Sequence, residues 1–116
     1  MAVVELDGLD VASGKRLLGL DLGEKTIGLA LSDPLLTVAT AMETLARGKF
    51  PADAARLGSI ISERGVGGLI VGLPLKLDGR DGPSAQSARA FARNWAGHSP
   101  VPVALWDERL STVAVT

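Results

Sequence analysis

The chain has no cysteine, no tyrosine and a single histidine, His98. Without cysteine there can be no disulfide framework, thiolate zinc site or cysteine nucleophile. One histidine argues against multi-histidine metal centres and His-based triads. Aromatics are scarce as well: Phe50, Phe91, Trp95 and Trp106 are the full set, too few for a base-stacking platform. No apolar run approaches the roughly 18–20 residues of a membrane span, and no cationic stretch leads an apolar one at the start. A soluble cytoplasmic protein is therefore expected. Charge of one sign is missing too. Twelve basic residues face thirteen acidic ones, a net −1 that argues against a strong non-specific grip on nucleic acid. Chemistry is left to carboxylates, hydroxyls and cations.

What is present is one domain's worth of chain, 116 residues with a globular balance of apolar and charged groups. The charge is uneven. Glu5, Asp7 and Asp10 stand with no basic residue in positions 1–14, and the remainder carries 12 basic and 10 acidic groups, a mild +2. Residues 1–15 read as a flexible or weakly docked N-terminal extension, and 16–116 as a single domain. Arg16 to Leu22 and Thr26 to Ser32 are strand-like runs linked through Gly23, a hairpin signature. Asp33-Pro34 stops the second, and Ala39 to Leu45 is a third strand. Pro51 and Asp53 suit a helix start, Ala54, Leu57, Ile60 and Ile61 recur at helical spacing, and Gly65 is a C-cap. Gly68 to Gly72 reads as a strand buried on both faces. Leu73 to Pro83 is irregular, rich in turn residues and expected to be mobile. Ser84 is the expected cap of a second helix with Ala88, Phe91, Ala92 and Trp95 on its inner face and Gly97 at its end. Val101 to Trp106 is the last strand, an edge strand or one that starts late because of Pro102. The order β-β-β-α-β-α-β predicts a mixed α/β sheet, spatial order 3-2-1-4-5, with helices on its faces.

Asp21 is the sharpest chemical feature. It lies late in an apolar strand, where a charge is costly unless paired or metal-bound, and at the carboxyl end of a strand expected to be central. The simpler alternative is a strand end bonded to turn amides. Asp107 and Glu108 end the last strand, which runs parallel to the first and so reaches the same rim. Strand alternation lets only one of them face Asp21, and Asp107 is the expected one. Carboxylates gathered there call for a hard cation, Mg²⁺ or Mn²⁺, with Asp21 and Asp107 as ligands; the alternative for Asp107-Glu108-Arg109 is an ion-paired helix cap. Lys76 and Arg80, on the loop entering the second helix, are candidate phosphate contacts, as are Lys25 and Arg109. His98 reads as a surface or cap residue, and Trp95 and Trp106 as core.

Leu18-Gly19-Leu20-Asp21-Leu22-Gly23, Ile27-Gly28-Leu29-Ala30 and Ser32-Asp33-Pro34 together resemble the opening of the YqgF/RuvX family. Val71-Gly72-Leu73-Pro74 with Gly79, and Asp107-Glu108-Arg109-Leu110-Ser111-Thr112, resemble its next two motifs in the right order. The resemblance runs from about Arg16 to Thr112. It implies an RNase H-like fold and a metal-dependent nuclease, acting on Holliday junctions or on the 5′ end of precursor 16S ribosomal RNA. It also implies a further C-terminal helix with another acidic residue, so the domain is expected to be C-terminally incomplete here. Pairing of two copies is compatible with this reading. Two other functions stay open. One is a non-catalytic nucleic-acid or protein-binding module of the same fold. The other is half of an actin-like ATP-binding unit, whose first phosphate loop Asp21-Leu22-Gly23-Glu24-Lys25-Thr26 also resembles.

Overall fold

The computed structural model describes residues 3–5, 15–32, 39–74, 80 and 82–107. Its elements are β1 (Val3–Glu5), β2 (Arg16–Leu22), β3 (Thr26–Ser32), β4 (Ala39–Ala46), α1 (Phe50–Arg64), β5 (Val66–Leu73), α2 (Pro83–His98) and β6 (Val103–Asp107). The strands form one sheet in the order β1-β6-β5-β2-β3-β4. Its five longer strands follow the order expected from the sequence, with β2 central. β2, β3 and β4 make an antiparallel meander, and β5 joins β2, and β6 joins β5, in parallel. The added sixth strand comes from the N-terminal extension: Val3 to Glu5 pair in parallel with Val103 to Leu105. β6 is thus paired on both sides and is not an edge. It does start late, after Pro102, whose carbonyl accepts from the Leu69 amide at 2.9 Å.

Both helices cover the same face of the sheet, where helices on both faces were expected. β4 lies parallel to β5, so β4-α1-β5 and β5-α2-β6 are two crossovers stepping the same way. The right-handed rule then places both helices on one side. One core cluster results: Leu18, Leu20 and Leu22 of β2, Ile27 and Leu29 of β3, Leu69, Val71 and Leu73 of β5, with Leu57 of α1 and Ala88, Phe91, Ala92 and Trp95 of α2. The intervening residues Gly19, Gly28, Ile70 and Gly72 are half-buried, because no described helix covers their face. β5 is therefore fully buried on one face only, contrary to the two-sided burial its apolar run suggested.

α1 ends at Gly65, which takes the left-handed conformation (φ 65°) that favours glycine and donates its amide to Ile61. Its N-terminus is held by the buried Asp53, whose carboxylate accepts from the Gly48 amide at 3.0 Å and from Arg56 at 2.7 Å. α2 begins two residues earlier than expected. Gly82 is the N-cap and Pro83 the first helical residue, a position where the missing amide hydrogen costs nothing, so Ser84 lies inside the helix. The helix passes Gly97 and ends at His98. Trp95 is 1% exposed and anchors this end, donating from Nε1 to the Val101 carbonyl at 3.1 Å. His98 is exposed, its ring 5.9 Å from that of Trp95.

Candidate functional site

Asp21 is the next-to-last residue of β2, with strands on both sides. Residues alternate between faces, so the neighbours that send Leu20 and Leu22 to the core send Asp21 to the open face. The carboxylate is exposed there, and not buried in an apolar setting as the strand's composition suggested. Among the described residues no cation is ion-paired with it.

Its surroundings are unusually bare. Gly28 is its register partner on β3, close enough that a β-carbon there would lie 3.6 Å from the Asp21 Cβ. On the other side Leu20 pairs with Val71, which brings Gly72 of β5 level with Asp21. Gly72 pairs in turn with Trp106 of β6. Asp21 and Trp106 are thus two strands apart, roughly 10 Å between backbones, with a glycine between them. They line one shallow groove of about 530 Å³, together with Ile70, Ala30 and Glu43 of β4. Trp106 is half-buried beside this groove and does not join the helix-side core where it was expected.

Beyond Asp21 the chain turns through Gly23, Glu24 and Lys25. The Gly23 amide donates to the Thr26 carbonyl at 2.8 Å, and a side chain at Gly23 would come within 3.0 Å of the Thr26 hydroxyl. A larger residue there would have to displace the Thr26 side chain, so the turn favours glycine by close approach. Lys25 is exposed on this turn. A second groove, about 400 Å³, separates the turn from the start of α2 and is lined by Gly23, Glu24, Arg47, Pro83, Ser84 and Ser87. Arg47, which follows β4, spans it. Its Nη1 donates to the Gly23 carbonyl at 2.7 Å and its Nη2 to the Ser87 hydroxyl at 2.8 Å. Sequence reasoning does not single out Arg47 or Ser87. They meet across 40 positions, and nothing local marks the pair.

The other expected residues are placed in part. β2, β5 and β6 are parallel, so their carboxyl ends share one edge of the sheet, and Asp107 closes β6 in register with Leu73. Asp107 is described in its backbone alone. Arg80 is exposed shortly before α2. Lys76, Glu108 and Arg109 lie outside the described residues, as does most of the loop expected to be mobile. No group of three or more acidic or histidine side chains stands together among the described residues. No described helix is long and apolar enough to cross a membrane.

Comparisons with known proteins bear on the family and the fold. The chain is 61% identical over 99 residues to a protein of Bradyrhizobium sp. (strain ORS 278) named "Putative pre-16S rRNA nuclease", an overlap of 85% of this chain and 62% of that one. A protein of the same name from Paramagnetospirillum magneticum is 57% identical over 102 residues, covering 88% of this chain and 66% of the relative. The chain thus spans less than two thirds of these relatives' own length. Among solved structures, Thermus thermophilus RuvC in complex with a Holliday junction substrate superposes with a TM-score of 0.54 at 15% identity, over 80% of this chain and 64% of that one, a likeness of fold. The family model described as RuvX, Holliday junction resolvase, matches residues 15–116, and the chain belongs to that family.

Proposed function

We propose that this chain is the catalytic part of a metal-dependent endonuclease that hydrolyses phosphodiester bonds in structured nucleic acid, branched DNA or precursor 16S ribosomal RNA. The observation that carries the reading is Asp21. A carboxylate that is exposed and ion-paired with no described cation stands at the carboxyl end of the central strand, on a floor of Gly28 and Gly72. Open α/β sheets carry their sites at this edge. The residues level with Asp21 on the two adjacent strands are glycines, which leaves the carboxylate open to a phosphate backbone. The names of the relatives and of the RuvC complex support the same substrate class.

The donor set suits a hard divalent cation, since Asp21 offers oxygen ligands with no competing ammonium or guanidinium paired to it among the described residues. Mg²⁺ or Mn²⁺ would be held by Asp21 with one acid of the Asp107-Glu108 pair. When bound, such a cation supplies an activated water and neutralises charge on the leaving oxygen. Trp106 shares the groove of Asp21. If the alternation of β6 continued one residue past its end, Glu108 would share the face of Trp106, and on that ground Glu108 is favoured over Asp107 as the partner. Lys25, Lys76, Arg80 and Arg109 would hold substrate phosphates and orient the strand, and mild basicity suits backbone contact better than base reading.

The test is cleavage by the full-length protein with Mg²⁺ or Mn²⁺, on a four-way DNA junction and on a precursor 16S fragment in parallel. Asp21→Asn should abolish cleavage of whichever substrate is cut, with the fold intact. Glu108→Gln should be severe and Asp107→Asn mild. Normal cleavage by Asp21→Asn would remove the site assignment, and binding of both nucleic acids without metal-stimulated cleavage would favour a non-catalytic module.

A further inference from the structure

Asp21 is only two residues from a glycine turn, and a turn of this kind has little of its own to hold it still. Its single internal backbone bond runs from the Gly23 amide to the Thr26 carbonyl. What fixes it from outside is one residue. The Arg47 amide donates to the Lys25 carbonyl at 2.8 Å, and Arg47 Nη1 donates to the Gly23 carbonyl at 2.7 Å. Both ends of the turn are therefore gripped by the same side chain and its own backbone. The second guanidinium nitrogen reaches Ser87, in the second turn of α2. Three separately folded pieces meet at Arg47: the β2–β3 turn, the β4–α1 link and α2.

We propose that the Arg47 side chain is a positioning group for the candidate site, acting through the Gly23 carbonyl on Asp21, two residues away. The assignment rests on the nuclease reading above. A planar fork suits the task because two nitrogens at fixed separation bond two acceptors on different elements, which a single ammonium cannot reproduce. The position of Asp21 along the sheet edge is then set against α2 as well as by its own strand. Loss of the fork leaves the β-ladder intact but lets the carboxylate's end of β2 move relative to the phosphate-binding side. Misplacement on the scale of 1 Å can cost about a hundredfold in rate.

The experiment compares Arg47→Ala, Arg47→Lys, Ser87→Ala and the Arg47→Ala/Ser87→Ala double variant in the full-length protein, with Asp21→Asn as control. Two readouts are needed: steady-state cleavage at saturating Mg²⁺, and amide hydrogen exchange. Arg47→Ala should lower kcat by about tenfold or more with KM changed less than about threefold. Arg47→Lys should fail to rescue it. Ser87→Ala should lose less, and the double variant should be no worse than Arg47→Ala, because the two share one bond. Exchange at Gly23 should accelerate, while the amides of α1 and β5 keep wild-type protection.

A rise in KM with kcat unchanged, or rescue by lysine, would mean that Arg47 touches substrate as a charge and would overturn the proposal. So would a general loss of protection, which marks a merely structural residue. If Asp21→Asn cleaves normally, the nuclease site is misassigned, and the exchange at Gly23 still decides whether Arg47 holds the turn. Unchanged exchange there overturns the inference by itself.

Discussion

The glycine floor beside Asp21 gives a prediction in which stability and activity move apart. At Gly28 an added β-carbon would lie 3.6 Å from the Asp21 Cβ and 3.9 Å from the Asp21 carbonyl oxygen, ordinary van der Waals separations. The backbone there is not left-handed; among the described glycines only Gly65 has a positive φ. Alanine therefore fits without strain. It narrows the unfolded ensemble, which typically adds about 0.4–1 kcal/mol of stability. Gly28→Ala should melt at the wild-type temperature or a few degrees above it. Its methyl group stands in the open floor next to the carboxylate, so cleavage should fall. Gly28→Val adds two further methyl groups beside the same carboxylate and should lose at least about tenfold, or 1.4 kcal/mol of transition-state stabilisation. Thermal melts and cleavage kinetics on the same full-length preparations measure both quantities. Wild-type cleavage by Gly28→Val, with Asp21→Asn inactive, would show that the bare floor has no role. A loss of more than about 1 kcal/mol in Gly28→Ala would show that Gly28 does not sit against Asp21 in this register.

Two further outcomes follow from the same geometry. Trp95→Ala should cost about 3–5 kcal/mol in denaturant unfolding, since it empties a fully buried site and removes the donor from the Val101 carbonyl; a destabilisation under about 1 kcal/mol would contradict the burial. Lys76→Ala with Arg80→Ala should weaken nucleic-acid binding and flatten its salt dependence, by roughly 0.9 in log–log slope for each duplex phosphate that is no longer neutralised. An unchanged slope would remove the loop from the binding surface.

Much of the sheet is legible in the sequence because its signals are local and physical. Alternating leucines in Arg16 to Leu22, Gly23 in the link and an apolar run at Gly68 to Gly72 suffice to order the five longer strands and centre Asp21. Gly65 is readable as a cap because its left-handed backbone favours glycine. The misses are of a different kind. β1 is three residues long, and its partner on β6 is far along the chain, so no local pattern announces it. The apolar composition of its strand makes Asp21 look costly. The one-sided placement of α1 and α2, a property of the whole topology, is what leaves it exposed. Size alone assigns Trp106 to the core, yet its register opposite Gly72 puts it by the groove. Arg47 follows a strand as many arginines do, and only the folded chain shows that it joins Gly23 to Ser87.

The topology also sets an order of events on the ribosome. The β2–β3–β4 meander joins neighbours in sequence and can close early, carrying Asp21 with it, whereas β5 and β6 add to the other flank of β2 only after their crossover helices are made. The two halves of the proposed cutting centre sit on opposite sides of that seam, at positions 21 and 107–108. A chain still being synthesised therefore carries one carboxylate on a finished hairpin and lacks its counterpart.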